Sequence, residues 1–260
     1  MQTLLRTPLY ERHVAAGARI VPFAGWEMPV QYEGVIAEHR AVRTDWGVFD
    51  VSHMGQVHVE GPSARDFLQG MLSNDLERVA DGGAQYTLLT NERGGIIDDL
   101  ITYRINPLRY LLVVNASNRE PAYGWLKAEE PRGSEVTDMS DDCALLAVQG
   151  PNSIAKLGLP DAPAFTHAMG EVDGIEVMVC RTGYTGEPGG DCVRVRRDVV
   201  AVERVADLEP QRVSRAQATR RRALGRGCRP RRTSARRRAR PCSRCGTPSL
   251  RSRRPRLSRA

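Results

Sequence analysis

The chain has 260 residues, 41% of them hydrophobic, and a formal net charge of +7. That charge describes neither part of it. Residues 1–191 carry 15 Lys and Arg against 27 Asp and Glu, whereas residues 192–260 carry 23 Arg, no Lys and 4 acids. The first part has the balance of an acidic globular protein and the second that of a basic, disordered tail. The six cysteines (Cys143, Cys180, Cys192, Cys228, Cys242, Cys245) are scattered, four of them in residues 192–260. This is no disulfide framework, and a reducing compartment is expected. The N-terminal run MQTLLRTPLYERH lacks the apolar stretch of a signal peptide. No segment approaches the roughly 20 apolar residues of a membrane span. A soluble, cytoplasmic protein is expected.

In chain order, Thr7-Pro8 offers a capping hydroxyl followed by proline, and predicts a helix to about Ala16, stopped by Gly17. IVPFAGWEMPVQY reads as strand, turn, strand. Glu33 to Thr44 predicts a helix with Val35, Ile36, His39, Val42 and Arg43 at helical spacing. Phe49–Val59 alternates as a strand, and Gly61-Pro62 opens a helix through Phe67, Leu68 and Met71. Ala84–Thr90, Gly95–Ile105 and Tyr110–Ala116 are β-rich runs separated by turn chemistry, and predict an antiparallel meander. Glu120–Ala128 reads as a helix, Ala144–Val148 as a strand, Gly150-Pro151 as a helix start. Ile175–Arg181 reads as a strand that ends in RTGYTGEPGG. Helices and strands mix without a βαβ rhythm, so an α+β fold is expected. After Asp191 the pattern fades; residues 194–210 could hold one helix, and from Gln211 no apolar period remains.

The chemistry centres on GGIIDDLITYR, residues 94–104. Alternation along a strand sends Asp98 and Asp99 to opposite faces, each among apolar neighbours. One carboxylate can sit in water; the other is costly unless it is paired or placed in a site. If the first hairpin loop is Asn91–Gly94, Thr90 faces Gly95 and Tyr86 faces Asp99. If the second loop is Ile105–Arg109, Asn115 faces Asp99 from the third strand. Tyr86, Asp99 and Asn115 would then form one polar row, suited to an NH-rich heterocycle, although one residue of slip moves Asn115 to the other face. On position alone a satisfied structural acid at a sheet edge also fits. The turn-rich segment 181–191 fits a surface loop or a ligand clamp. FDVSHMG brings Asp50 and His53 close, but no nucleophile accompanies them, so no hydrolase triad is expected. Cys242 and Cys245 have CxxC spacing without the further ligands zinc needs, and no metal site is expected. The Arg-rich part has no aromatic residue and resembles no folded nucleic-acid reader.

Several runs together resemble the glycine cleavage T-protein family, the aminomethyltransferases. They are RTPLYERHVAAGARIVPFAGWEMPVQY, EHRAVRTDWGVFDVSHMG, FLQGMLSND, QYTLLTNERGGIIDDLITYR, YLLVVNASN, ALLAVQGP and RTGYTGEPG, in the family's order from residue 6 to about residue 189. Looser likeness extends to the folate-binding parts of dimethylglycine and sarcosine dehydrogenases and to an iron–sulfur-cluster assembly factor. The resemblance implies transfer of a one-carbon unit from the aminomethyl-lipoyl arm of the H-protein to tetrahydrofolate, with release of ammonia. It implies that Asp99 is the catalytic acid. It places Tyr86, Val113, Asn115 and Tyr184 in the folate pocket, and Asp191 near the position of a pterin-binding Glu. It implies a first domain from residues 1–54 and 139–191, an inserted meander domain over 55–138, and a third, barrel domain that is missing. The family's arginine-bearing GLGARD-type run has no counterpart, and residues 192–260 read like a frameshifted, Arg-rich continuation. A partial folate-binding module is therefore the alternative to an active aminomethyltransferase.

Overall fold

The structure, a computed structural model, describes residues 3–158, 161–172 and 174–186, and the backbone of 191–196. A unit spanning Met1–Gln217 holds all of these; the second unit, Ala218–Ala260, lies outside the described residues. So do the expected helix beyond residue 196, the CxxC pair and the rest of the Arg-rich part.

The first helix, α1, covers Tyr10–Ala15 and starts later than Thr7-Pro8 predicts. Thr7 is buried, and no side chain caps the helix. Strands β1 (Arg19–Phe23) and β2 (Trp26–Gln31) form a hairpin. Its turn residues Ala24 and Gly25 both take positive φ, 49° and 84°, the geometry whose twist suits two-residue hairpins. Helix α2 covers Val35–Thr44. Glu38 folds back on the approach to this helix: its Oε1 accepts from the backbone N–H of Gly34 at 2.9 Å and of Tyr32 at 2.8 Å. Helical spacing predicts Val35 and Ile36 inward; instead they are 60% and 70% exposed, and Val42 is the buried residue of α2.

The single strand expected over Phe49–Val59 is two strands in different sheets. β3 covers Gly47–Asp50 and β4 covers Gly55–Glu60, with a turn between them. Gly55 opens β4 in close contact with β7: a Cβ there would lie 2.5 Å from Val114 Cγ2. Helix α3 (Ala64–Met71) follows as expected. The meander is present as β5 (Ala84–Thr90), β6 (Ile96–Asn106) and β7 (Arg109–Val114), all antiparallel. Helix α4 covers Arg119–Ala128. After it come β8 (Glu135–Asp138), β9 (Cys143–Gln149), the short α5 (Ser153–Leu157), β10 (His167–Val172), β11 (Ile175–Cys180) and β12 (Asp191–Arg196). β8 and β10 carry no strong alternation and escape the sequence reading, and β12 escapes it although Val193, Arg194, Val195 and Arg196 alternate, because they open the Arg-rich part.

Two five-stranded sheets result, ordered β10-β11-β12-β9-β3 and β5-β6-β7-β4-β8. Alternation along β6 and β7 gives the second sheet two apolar faces. Leu100, Leu112 and Val114 pack with Leu68 of α3 and Ala122 and Leu126 of α4. Ile101, Tyr103, Leu111 and Val113 pack on the other side with Leu145, Met178 and Cys180 of the first sheet. The outer face of the first sheet, with Ala144, Leu146, Val148, Val177 and Val179, is covered by Leu9, Trp46 and Leu157. Antiparallel sheets with helices on their outer faces are the expected α+β arrangement.

Candidate functional site

The registers of the meander decide which residues meet. Between β6 and β7 the expected register holds: Ile101 faces Val113 and Tyr103 faces Leu111. It is reached differently, because Asn106 faces Arg109 across a two-residue turn and a shift between Arg104 and Asn106 restores the pairing. Between β5 and β6 the expected register is wrong. Thr90 faces Ile96, a shift follows at Leu89/Thr90, and Asp99 lies opposite Leu88 while Tyr86 lies opposite Ile101. The loop reaches one residue further than predicted because the Asn91 side chain organises it. Asn91 Oδ1 accepts from the backbone N–H of Arg93 at 3.0 Å and of Gly95 at 2.9 Å.

The two-residue offset keeps Tyr86 on the face of Asp99 and makes the contact diagonal. The Tyr86 hydroxyl donates to Asp99 Oδ2, a separation that long aromatic side chains span across neighbouring strands. From the other side Asn115 Nδ2 donates to Asp99 Oδ1 at 3.1 Å and to the Asp99 carbonyl at 2.8 Å. Asn115 is not within the third strand but one residue beyond the end of β7, leading into a tight turn over Ala116–Asn118. Asp99 is exposed, and Tyr86 is 43% exposed. Along the same face Ile101 and Val113 are buried against the first sheet. The polar row therefore sits where the seam between the sheets opens. Val51 and Met54, from the turn between β3 and β4, pack against the same cluster. The hydrogen bond to Asp99, with burial and the neighbouring carboxylates adding to it, holds the Tyr86 phenol above its ordinary pKa.

Asp98 is the buried acid, 1% exposed, on the helix side of β6. Its Oδ2 accepts from the Asn115 backbone N–H at 2.8 Å, and its Oδ1 from Asn115 Nδ2 at 2.9 Å and Asn118 Nδ2 at 2.6 Å. Alternation along the strand predicts one costly carboxylate; it is Asp98, offset by neutral donors, whereas Asp99 is the one in water. Asn118 was missed. An Asn just before a helix reads as a cap, but this side chain makes no capping bond.

Tyr184 follows β11 on a separate bend and is 71% exposed. Asp191 opens β12 opposite Val148; its side chain lies outside the described residues. Asp50 pairs with His13 rather than His53. His13 Nε2 lies 3.0 Å from Asp50 Oδ2, and the Tyr32 hydroxyl lies 2.8 Å from His13 Nδ1. Burial pushes the Asp50 carboxyl up, but hydrogen bonds from His13 and Ser52 outweigh it and leave it below the usual carboxylate range. His53 stacks edge-on against Phe23 and Trp26, and burial lowers its pKa. A crevice lined by Glu60, Pro62, Arg109 and Glu135 lies at the other end of β6 and is spanned by the Arg109–Glu60 ion pair. Among the described residues no group of three or more His, Cys, Asp or Glu could hold a metal ion, and no helix is long and apolar enough to cross a membrane.

Residues 9–191, which hold the whole second sheet, the first sheet as far as the start of β12, and the Asp98–Asp99 pair, match the GCVT N-terminal domain. The chain belongs to that family. It is 46% identical over 195 residues to the aminomethyltransferase of Desulforamulus reducens, covering 73% of this chain and 54% of that one. It is 51% identical over 193 residues to that of Chlorobium luteolum, covering 71% and 53%. The crystal structure of glycine cleavage system aminomethyltransferase T from Bartonella henselae superposes with a TM-score of 0.72 at 36% identity, covering 79% of this chain and 56% of that one. The chain thus spans about half the length of the GCVT relatives it matches.

Proposed function

We propose that this chain carries the folate-facing half of an aminomethyltransferase. In the whole reaction the one-carbon unit on the lipoyl arm of the H-protein passes to tetrahydrofolate. Two carbon–nitrogen bonds form, one to the ring nitrogen and one to the bridging nitrogen of the folate, as the one-carbon unit loses its bond to the amine and its bond to the lipoyl sulfur. The two displaced N–H protons leave with ammonia and on the thiol, and the arm is left as dihydrolipoyl. Asp99 is the catalytic acid of this reading. It would face the folate near its bridging nitrogen and favour attack by the ring nitrogen on the one-carbon unit. Tyr86, Val113, Asn115 and Tyr184 would line the pocket, and Asp191 would take the place of the family's pterin-binding Glu. The observation that carries the reading is the row in which Asp99 is held from one side by Tyr86 and from the other by Asn115. A carboxylate fixed by two neutral donors is preorganised for proton transfer without being neutralised by a cation. The names of the relatives and the shared fold support it.

Because the chain spans half of its relatives, a second reading applies to it as it stands: a partial folate-binding module with little turnover. A folate site needs several groups held together by a supporting shell. The division into residues 1–54 with 139–191 and an insert over 55–138 belongs to the same proposal. Both readings are tested by joining residues 1–191 to the C-terminal half of the Chlorobium luteolum aminomethyltransferase. Turnover is measured with aminomethyl-loaded H-protein and tetrahydrofolate. The chimaera should turn over while the chain alone does not. In the chimaera Asp99→Asn should lower kcat by at least about 100-fold, the scale of a positioned acid–base group. Undiminished turnover in the Asp99→Asn chimaera would remove Asp99 from the chemistry.

A further inference from the structure

We propose that Asp98 is a positioning residue for the ligand face: its buried carboxylate fixes the side-chain amide of Asn115 so that the amide oxygen is turned to the ligand. The proposal rests on the reading of the Asp99 face as a binding face. Its first support is the donor set around Asp98. Oδ2 accepts one backbone N–H and Oδ1 accepts two side-chain amides. Both oxygens are in use, so the position requires two acceptors. An asparagine there would point its own NH2 either at the Asn115 backbone N–H or at the amides of Asn115 and Asn118, and neither flip satisfies the set.

The second support is the surroundings of Asn115 itself. Its Nδ2 lies within hydrogen-bond distance of three oxygens: Asp98 Oδ1 at 2.9 Å, the Asp99 carbonyl at 2.8 Å and Asp99 Oδ1 at 3.1 Å. Turning the amide over would set its oxygen against all three. The network therefore fixes the amide orientation. Both N–H groups are used inside the protein, and the group left for a ligand is Oδ1, an acceptor. Beside it stands Asp99, also an acceptor. The pair favours a ligand that presents N–H donors and disfavours one that presents carbonyl or ring-nitrogen lone pairs. Asp98 contributes to that selection without touching the ligand.

A purely structural Asp98 would steady the sheet but leave the Asn115 side chain unaffected, and the two roles separate spectroscopically. In the full 15N-labelled chain the Asn115 side-chain NH2 pair is assigned by its disappearance in Asn115→Asp. Its hydrogen exchange is then compared with that of backbone amides in β6 and β7. In folded Asp98→Asn the NH2 pair should exchange at least about 10-fold faster, the scale of losing a hydrogen bond to a charged group, with the strand amides still protected. The dissociation constant for tetrahydrofolate should rise by a similar factor. Unchanged NH2 exchange in the folded variant overturns the proposal, as does unchanged tetrahydrofolate affinity where the wild type binds. If Asp98→Asn does not fold, Asn118→Ala withdraws one donor from Asp98 and leaves Asn115 and both acids in place. It should speed the Asn115 exchange severalfold, and no change there is equally fatal. A wild type that binds no tetrahydrofolate but whose Asn115 NH2 responds as described would refute the reading of this chain as a partial folate-binding module and uphold the orientation set by Asp98.

Discussion

Two adjacent aspartates on one strand have opposite fates because side chains alternate and only one face of β6 lies under helices. Asp98 loses its water and is compensated by three neutral donors. Asp99 keeps water and gains a phenol. The Tyr86 hydroxyl donates to a carboxylate, so removing its proton places two negative charges together, and its pKa lies above the ordinary value of about 10. In Asp99→Asn that cause is gone, and the Tyr86 phenol should titrate at lower pH than in the wild type. The check is a tyrosinate absorbance titration, with Tyr86→Phe subtracted to isolate the one group. A Tyr86 titration that does not move would mean that the hydrogen bond is not formed in solution.

At the scale of elements, close approach of backbones explains positions that composition hides. Gly150 precedes α5 at φ +126°, and a Cβ there would lie 2.5 Å from the Asp45 carbonyl oxygen and 2.7 Å from the Trp46 Cα. Gly150→Ala combines an unfavourable φ with backbone overlap, and should cost on the order of 3 kcal/mol, read from urea denaturation. Helix α2 makes the converse case. Val35 and Ile36 look like core residues by spacing, yet both are mostly exposed, while Val42 is buried. Val35→Lys and Ile36→Lys should each change stability by no more than about 0.5 kcal/mol. Val42→Ala should cost more than about 1 kcal/mol, since it leaves a gap where Gly47 packs on it. A large loss in either lysine variant would show that this face is covered in solution.

Across the molecule, buried titratable groups set the pH response. His53 is buried between aromatic rings and its pKa is lowered, mainly by desolvation and against the attraction of Asp50. The unfolded chain takes up a proton on this residue near pH ~6.5 that the folded protein refuses. Stability should therefore fall as pH drops below about 6.5, down to the folded pKa. Asp50 acts lower. Its folded pKa is depressed, so its contribution is complete above the unfolded carboxyl pKa of about 3.9 and is lost only as pH falls through the folded value. Urea denaturation at pH 7.5 and pH 5 should show a lower midpoint at pH 5. His53→Phe, which keeps a ring against Phe23 and Trp26, should reduce that difference. An equal difference in the variant would assign the response to other groups.

The sequence by itself determined the features that depend on neighbours close in the chain. It set the three strands of the meander, the opposite faces of Asp98 and Asp99, and the turn chemistry between the strands, because alternation and turn propensity are local. The β6–β7 register was legible too, and with it the approach of Asn115 to Asp99. Only the tertiary structure decided the rest. The Asn91 loop shifted β5 so that Tyr86 reaches Asp99 on the diagonal. The helices covering one face selected Asp98 for burial. Asp50 found His13, 37 residues away, rather than His53. β3 and β4 went to different sheets, and β12, in chain that reads as Arg-rich, entered the first sheet between β11 and β9. Each of these depends on which distant backbone lies alongside, and the free energy of burying one face is a property of the covering element as much as of the residue covered.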